Sequence, residues 1–474
     1  MQAYQNFVGN AFVDEVSSPV HNVVDPSTGA TVASVQLASV DLVTRAVHSA
    51  KQAHSAWRKL PAIERAQGLQ RLAEALMAQR ENIGQALAIE SGKSLGDACA
   101  EVGYAADIVR YHAEWARRIE GEIIPSDNAR EQLFLHRESI GVVACLIPFN
   151  FPVYTLLRKI APALITGNTV VVRPSNSTPC SALALAQAVL AADLPAGVVN
   201  IMAMDHDACA VMCQLPSVGM ITLTGSVSAG RQIMGYAQNN IAKTSLELGG
   251  KTPAIVAADA DLDLAAQAIV DSRLTHCGQL CTAVERVLVE QSVHDALLAR
   301  IKTVMSQRTW GNRRENPAHM GPQASEKARL NVHAMVQKAI AQGAQLELGG
   351  FMPEGPGFYY PPTLLSHCTQ DMEIIQEEVF GPVLAVMSCQ DMHHALACAN
   401  DHQYGLASVL FTQHHPTVQW FAHEIEAGEL YVNRTPADPY QGYHAGWKRS
   451  GLGGDDGKHG MLEFTQTRLV VLPY

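Results

Sequence analysis

Short, mainly apolar segments alternate with longer helical ones along the middle of this chain. The apolar segments lie at residues 141–147, 169–173, 197–202 and 219–223, and the helical windows lie at 153–166, 179–192, 207–214 and 228–239. Strands that are buried on both faces lose the alternation of polar and apolar residues, and intervening helices provide the crossovers that parallel strands need. The pattern therefore predicts a parallel sheet with crossover helices.

A second region of the same kind begins near residue 253. Its strand-like segments lie at 253–256, 286–290 and 383–387, and its helical windows lie at 262–274 and 325–341. We therefore expect two α/β domains that meet near residue 248. Residues 467–473 form a solitary strand-like segment, and an edge on another subunit is one place where it can pair.

Charge and composition argue against several classes of protein. The net charge is −11, which provides no basic footprint for nucleic acid or an anionic membrane. The most apolar segment, residues 142–157, contains Pro148 and Pro152 and is too short to span a membrane. The first lysine or arginine is Arg45, so we expect no signal or transit peptide. Ten cysteines then favour free thiols in a reducing cytoplasm.

Two cysteine pairs have a spacing that also occurs in zinc sites, Cys209 with Cys213 and Cys277 with Cys281. The first pair lies in an apolar helical window, where cysteine usually packs as a small core residue. We therefore predict no structural metal.

Four loops follow predicted strands of the first sheet, at residues 148–152, 173–176, 224–227 and 247–250. Open parallel sheets bind ligands at the carboxyl ends of their strands. Gly225 and Ser226 precede a helix, so their backbone N–H groups are suited to a phosphate. Arg231 and Gln232 stand where a P-loop needs lysine and then serine or threonine. A dinucleotide site is compatible with these residues but is not fixed by them.

Two residues are candidates for covalent chemistry. A reactive cysteine needs a lowered pKa, exposure and donors for an oxyanion, and the sequence alone shows none of these for Cys281. Glu247 ends an apolar strand, where burial would raise its pKa toward the range of a general base. A salt bridge to a basic neighbour is the alternative for this carboxylate.

Six motifs, taken in order, resemble the aldehyde dehydrogenase superfamily over nearly the whole chain. They are PFNFP at 148–152, GNTVV at 167–171, TGS at 224–226, ELGGK at 247–251, GQLC at 278–281 and EEVFGP at 377–382. The resemblance implies a Rossmann-like parallel-sheet cofactor domain, a second α/β catalytic domain and a small β oligomerisation element. It implies domain bounds of 1–119 with 138–247, then 248–463, and 120–137 with 464–474 for the oligomerisation element of a homodimer or homotetramer.

The resemblance also implies a role for each matching residue. Cys281 would attack the aldehyde carbon, the Asn150 amide would hold the oxyanion of the thiohemiacetal, and Glu247 would activate the water that hydrolyses the thioester. NAD or NADP would accept the hydride. The residues expected to bind this cofactor are Ile147, Pro148, Phe149, Arg173, Ser175, Asn176, Gly225, Ser226, Leu248, Glu378 and Phe380.

The adenosine end departs from the family pattern. Arg173 stands where lysine is usual, and Asn176 stands where members that prefer NAD carry glutamate. A guanidinium without the acidic neighbour removes repulsion of a 2′-phosphate, so we expect NADP to be accepted. Met204 replaces a glycine near the adenine, which predicts a reshaped pocket.

Among members of the superfamily, the chain is most similar to those that oxidise lactaldehyde and glycolaldehyde, above all at residues 441–447 and 450–460. By this resemblance Phe151, Tyr154, Arg158 and His444 would contact a small polar aldehyde. Thr435 and Asp438 differ from the glutamates of those relatives. Arg158 would equally suit a carboxylate, which leaves a short semialdehyde as an alternative, or it would lie in solvent beside the apolar stripe of its helix.

Three other interpretations remain. A catalytically silent binding protein is disfavoured by the presence of Cys281, Glu247 and Asn150. A cofactor-independent thiol hydrolase is disfavoured by Glu378 and Phe380. Cys277 is either a passive buried thiol or a redox partner of Cys281.

Overall fold

The computed structural model describes residues 2–15 and 18–474. The predicted alternation forms a sheet of eight strands, in which five central parallel strands are flanked by antiparallel ones at both edges. The order across the sheet is Gly451–Leu452, Lys243–Glu247, Val218–Thr224, Val142–Leu146, Thr169–Arg173, Val199–Ile201, Asn6–Val8 and Ala11–Val13.

Apolar cores cover both faces of this sheet, which explains why its strands show no polar alternation. Val143 and Val170 pack into one core, whereas the adjacent Val142 and Val171 pack into the other. The covering helices are Val40–Trp57, Ala62–Ala78, Arg80–Ser91, Leu95–Ala113, Pro152–Ile165, Pro179–Ala191, His206–Gln214 and Val227–Ala237.

The second region forms a sheet of seven strands, all parallel except the first. Its order is Gln345–Leu348, Thr363–Ser366, Val383–Cys389, Arg286–Glu290, Pro253–Val256, Ala407–Phe411 and Glu429–Val432. The later helices are Leu262–Leu274, His294–Ser306, Glu326–Ala341, Glu373–Gln376, Met392–Asn400, His415–Glu424 and Gly457–Glu463, with 3-10 turns at Glu114–Arg117, Thr275–Gly278 and Gln291–Val293. The predicted α/β class with two parallel sheets is confirmed.

Smaller sheets complete the fold. Thr465–Pro473 pairs antiparallel along its whole length with Glu131–Ser139, which also pairs with Glu122–Ile124. The solitary strand predicted near the end of the chain therefore finds its partner within the same chain, and needs no second subunit for pairing. The remaining short strands are Gln2–Tyr4, Val20–Val24, Thr31–Gln36, Tyr404–Gly405 and Trp447–Lys448.

One crossover bears on the predicted domain bounds. Gly451 and Leu452 pair with Glu247 and Leu246, although residues 248–463 are assigned by prediction to the second domain. The chain thus returns to the first sheet at the strand that carries Glu247, and the bounds themselves stay a prediction. Among the described residues, no helix combines the length and apolar character needed to cross a membrane.

Candidate active site

A cleft of about 410 Å³ opens at the carboxyl ends of the strands of the first sheet. It is lined by ten of the eleven predicted cofactor residues and by Asn150 and Cys281. Asn176 and Met204 are not part of its wall, and Met204 is fully buried in a core instead. The ten residues are Ile147, Pro148, Phe149, Arg173, Ser175, Gly225, Ser226, Leu248, Glu378 and Phe380.

Arg173 brings a positive charge to one end of this cleft. No carboxylate in residues 2–15 or 18–474 forms an ion pair with its guanidinium, and its buried Nε lacks a hydrogen-bond partner there. The backbone carbonyl of Asn176 accepts a hydrogen bond from His21 Nε2 at 2.7 Å, which holds the loop in place. Ser226 caps the helix Val227–Ala237 through Ala229 N, so the amino end of that helix also faces the cleft.

Glu378 and Phe380 form the other end. Glu378 Oε1 accepts from the backbone N–H of Gly250 at 3.0 Å, and a Cβ on Gly249 would lie 2.3 Å from Glu378 Oε2. Only glycine therefore allows this carboxylate to approach the loop. Burial, together with the charge of Glu285, raises the pKa of Glu378 to about 8. The Phe380 ring packs edge-on against Phe149, with ring centroids 5.9 Å apart.

A buried ion-pair cluster fixes the backbone of this end. The Glu285 carboxylate accepts from the backbone N–H groups of Val379 and Phe380, both at 2.9 Å. It also pairs with Lys251 at 2.6 Å and with Arg273 at 3.0 Å. Phe380 has a φ of 52°, a backbone conformation that side chains rarely adopt, so these bonds hold a strained turn in place.

The Asn150 loop is held by a second buried ion pair. Lys93 Nζ donates to the Asn150 carbonyl at 2.6 Å and pairs with Glu101 at 2.5 Å. Glu101 in turn accepts from the N–H groups of Val153 and Tyr154, the first turn of the helix Pro152–Ile165. The Asn150 amide donates one hydrogen bond, to the Gln279 carbonyl at 2.9 Å, which leaves its second hydrogen for a ligand.

Cys281 is one of two cysteines that are not buried, the other being Cys99. Burial raises the pKa of the Cys281 thiol, while a hydrogen bond with His444 and the charge of that residue act to lower it. Cys277 is fully buried in the core of the second sheet, where Gln323 contacts its sulfur at 3.2 Å. Burial raises the pKa of Cys277 to about 12, which favours the passive thiol among the two interpretations.

Glu247 is buried and directly precedes Leu248, but it is not one of the residues that line the cleft. Burial raises its pKa to about 8, and the charge of His444 opposes that shift. Neither carboxylate oxygen has a hydrogen-bond partner among the described residues, although Oε2 lies 3.4 Å from His444 Nε2. This contact is within ion-pair distance but is not an aligned hydrogen bond, so the carboxylate is free to receive a proton.

Arg158 is buried, so the interpretation that it lies in solvent beside its helix is wrong. Its guanidinium pairs with Asp456, with Asp438 at 3.4 Å and with Asp455 at 3.9 Å. Lys159, the next residue, also pairs with Asp455, at 3.0 Å. The charge of Arg158 is therefore compensated within the protein.

Of the other predicted substrate residues, Tyr154 lies near Arg158 and Phe151 does not. The Tyr154 ring lies 5.6 Å from the Arg158 guanidinium carbon. Phe151 does not line the cofactor cleft but a separate cavity of about 470 Å³, where Lys93 Nζ lies 3.9 Å from its ring centroid and His276 packs edge-on against it.

Comparison with known proteins gives a consistent result. The model of the aldehyde dehydrogenase family matches residues 12–470. The lactaldehyde dehydrogenase of Escherichia coli strain K12 is 42% identical over 466 residues, which cover 98% of this chain and 96% of the relative. The chain belongs to the aldehyde dehydrogenase family. It is thus an NAD(P)-dependent oxidoreductase.

A solved structure and one further relative bear on fold and cofactor. The crystal structure of lactaldehyde dehydrogenase from Escherichia coli superposes on this aldehyde dehydrogenase with a TM-score of 0.98, at 41% identity and with 99% of each chain covered. The D-glyceraldehyde dehydrogenase (NADP(+)) of Thermoplasma acidophilum is 33% identical, covering 99% of this chain and 96% of the relative.

Several residues that shape the site of this aldehyde dehydrogenase were not predicted from its sequence. They are His21, Lys93, Glu101, Lys159, Glu285, Glu429, Asp455 and Asp456. Glu101 carried a weak signal, because a carboxylate in an apolar helical window has to be paired once it is buried. The others carried no such signal, and most of their partners are far apart along the chain.

Glu429, Asp438 and His444 place one ligand atom each within 4.8 Å of one another. The same groups are joined to Arg158 and Glu247 by ion pairs. We therefore interpret them as a charge cluster of the active site rather than as a metal site.

Proposed function

We propose that this enzyme oxidises a small, uncharged hydroxyaldehyde of the lactaldehyde and glycolaldehyde class to its carboxylic acid. The observation that carries the choice of substrate is the charge balance around Arg158. Arg158, Lys159 and His444 are surrounded by five carboxylates, those of Glu247, Glu429, Asp438, Asp455 and Asp456. These carboxylates can accept hydrogen bonds from the hydroxyl groups of a substrate. They leave no unpaired cation to bind the carboxylate of a semialdehyde.

The chemistry follows from the positions of three side chains. Cys281 provides the thiolate that attacks the aldehyde carbon, and the free hydrogen of the Asn150 amide stabilises the resulting oxyanion. Bound NAD or NADP supplies the hydride acceptor, for which the cleft residues fit because Arg173 offers an uncompensated charge and Gly249 leaves room for Glu378. Glu247 then takes a proton from the water that hydrolyses the thioester, in keeping with its raised pKa.

We also propose that NADP is accepted. Arg173 lies in the cofactor cleft without an acidic partner among the described residues, which suits a 2′-phosphate. Asn176 supports this less directly, since it lies outside the cleft wall. A kcat/KM ratio of NAD over NADP above about 100, or roughly 2.7 kcal/mol, would contradict the proposal.

A short semialdehyde is the second candidate, and one panel of substrates separates the two. Absorbance at 340 nm is followed with lactaldehyde, glycolaldehyde, succinic semialdehyde and propanal, each with NAD and with NADP. We expect the highest kcat/KM for the two hydroxyaldehydes. Succinic semialdehyde exceeding both would overturn the assignment, because it would require a free cation in the pocket.

The assembly and the cellular location are also proposals. The sheet that contains Thr465–Pro473 exposes Ile123, Leu469, Val471 and Leu472, which supports a homodimer or homotetramer built through that sheet. All ten cysteines are free, in keeping with a reducing compartment such as the cytoplasm.

A further inference from the structure

Three consecutive residues shortly before Cys281 have a left-handed backbone. The φ angle is 47° at His276, 56° at Cys277 and 73° at Gly278. Residues with a side chain rarely adopt this conformation, so such a run persists only where the surrounding contacts fix it. The loop that presents the nucleophile is therefore strained and depends on its neighbours.

Two glutamines hold this nucleophile loop from one side. Gln279 Nε2 donates to the carbonyl of Pro322 at 3.2 Å, and its Oε1 accepts from the backbone N–H of Ala324 at 2.8 Å. Gln323 Nε2 donates to the carbonyl of Cys277 at 2.9 Å. None of these residues lines the cofactor cleft, so this support of the loop is independent of the cleft.

Arg273 joins the nucleophile loop to the cofactor end of the site. Its guanidinium is fully buried, donates to the Gly278 carbonyl and pairs with Glu285 at 3.0 Å. A Cβ on Gly278 would lie 2.5 Å from Arg273 Nη2 and 2.3 Å from the carbonyl oxygen of Gly381. The nucleophile loop therefore packs directly against the turn that carries Phe380.

Glu285 completes the link between the two segments. Its carboxylate accepts from two backbone N–H groups of the turn at Phe380, both at 2.9 Å, while it pairs with Arg273. Burial acts to raise the pKa of Glu285, but the charges of Lys251 and Arg273 outweigh it and hold the pKa below its usual range. A charged carboxylate thus connects the turn to the guanidinium. Neither Glu285 nor Arg273 lines the cleft, so both act through the segments that they hold.

We propose that Arg273 and Glu285 are positioning residues, which hold the turn at Phe380 and the nucleophile loop in the mutual alignment that hydride transfer requires. The inference rests on the proposed function, since it assumes that a nicotinamide cofactor accepts hydride from an adduct on Cys281. Transfer depends steeply on alignment, and a misplacement of about 1 Å can lower a rate about 10²-fold. Binding of the cofactor depends less on this link, because the other end of the cleft has its own charge, at Arg173.

Arg273→Lys tests the link. It keeps the positive charge but loses the planar fork that reaches the Gly278 carbonyl and Glu285 together. With the enzyme in excess of its preferred aldehyde, we expect the rate of NAD(P)H formation in the first turnover to fall about 10- to 100-fold. The Kd of NADPH, measured by its fluorescence, should change little. Arg65→Lys is the matched control and should keep the wild-type rate, because Arg65 is also buried and donates to backbone carbonyls, but away from the cleft.

A reaction without cofactor separates positioning from a general structural role. p-Nitrophenyl acetate transfers its acetyl group to the Cys281 sulfur with release of p-nitrophenolate, and water then hydrolyses the acetyl thioester with Glu247 as the base. We expect Arg273→Lys to leave the rate of this reaction nearly unchanged, because Gln279 and Gln323 still hold the nucleophile loop.

Glu285→Asp is the second variant, for the case in which Arg273→Lys does not fold. It keeps the buried charge, but its side chain is too short to reach both the turn and the guanidinium, so oxidation should slow and ester hydrolysis should not. Equal losses of both reactions in a folded variant would overturn the inference, and so would an unchanged first-turnover rate or a loss confined to the Kd of NADPH. Failure of the proposed function would show separately, as a wild type that hydrolyses the ester but forms no NAD(P)H with any aldehyde.

Discussion

At Glu247, burial raises the pKa of the side chain and thereby sets its strength as a base. A carboxylate that is 2% exposed and lacks hydrogen-bond donors is costly to ionise, so its pKa rises to about 8. Such a group is still protonated in part at neutral pH, yet it becomes a stronger base than an ordinary glutamate once it is ionised. Rapid hydrolysis therefore requires a pH at which a useful fraction of Glu247 has lost its proton.

Glu247→Gln should stop turnover after the first oxidation, because no base remains to activate water. We expect a burst of NAD(P)H equal to the number of sites, followed by a steady rate about 10²–10⁴ lower than that of the wild type. Stopped-flow absorbance at 340 nm measures both phases. Wild-type hydrolysis should rise with pH through about 8, as Glu247 ionises, and this rise should vanish in the variant. Cys281→Ser lacks the nucleophile and is the control, which should show no burst. An unimpaired steady rate in Glu247→Gln would refute the role of Glu247 as the base.

Buried ion pairs fix the positions of the helices and loops of the site. Glu101 caps the helix after the Asn150 loop, Glu285 holds the turn at Phe380, and Arg158 ties the helix Pro152–Ile165 to Asp438 and Asp456. A buried ion pair stabilises the fold little more than well-packed apolar residues of the same size would. Removing one partner of the pair, however, leaves an uncompensated buried charge. These pairs therefore specify where the elements lie more than how stable the fold is.

Arg158→Met tests whether the buried ion pairs hold the helix Pro152–Ile165 in place. The change leaves Asp456, Asp455 and Asp438 without their shared guanidinium, and we expect a loss of about 3–5 kcal/mol in the free energy of unfolding by urea at pH 8. Burial already raises the pKa of Asp456, and loss of the guanidinium should move it further above its unfolded value. Asp455 keeps its pair with Lys159, so the pH dependence of the deficit comes mainly from Asp456. Stability is then lost as pH rises, so the deficit should shrink at pH 5.

Arg300→Met is the matched control, because its pair with Asp263 is exposed and worth about 0–1 kcal/mol. Equal losses for the two variants would show that the buried cluster has no special part in holding the helix.

The helices and strands were largely predictable from the sequence, whereas the side-chain contacts between them were not. Strand 253–256 and helix 262–274 were predicted with the bounds that the structure has, because burial on a sheet and helical periodicity are local properties of the chain. Arg158 was predicted as a substrate contact or a solvent group, since its acidic partners lie 280 and 298 residues further along the chain. No local pattern reports a contact over such a separation.

At the scale of the whole molecule, one small sheet has an edge strand that is unpaired on its outer side within the single chain. This sheet consists of Glu122–Ile124, Glu131–Ser139 and Thr465–Pro473. Thr465–Pro473 pairs on one side only and lies at the edge of this sheet. Leu469 is 56% exposed and Val471 is 46% exposed, and their side chains point to the same face because they are two residues apart on a strand. A free edge beside apolar side chains favours association with another copy of the chain.

Replacing Leu469 and Val471 together with lysine should therefore break the proposed assembly. Light scattering coupled to size-exclusion chromatography should give a dimer or tetramer for the wild type and a smaller species for the variant, since burying two ammonium groups in an apolar contact is costly. Phe351→Lys is the control: Phe351 is 53% exposed, like Leu469, but belongs to the loop between strands Gln345–Leu348 and Thr363–Ser366 of the seven-stranded sheet, so it should leave the mass unchanged. Cys281 and Asn150 line one cleft of the same chain, so we expect the dissociated variant to keep its activity per chain. A monomeric wild type would refute the proposed assembly, and a variant that dissociates and also loses activity would show that the catalytic site depends on contact between copies.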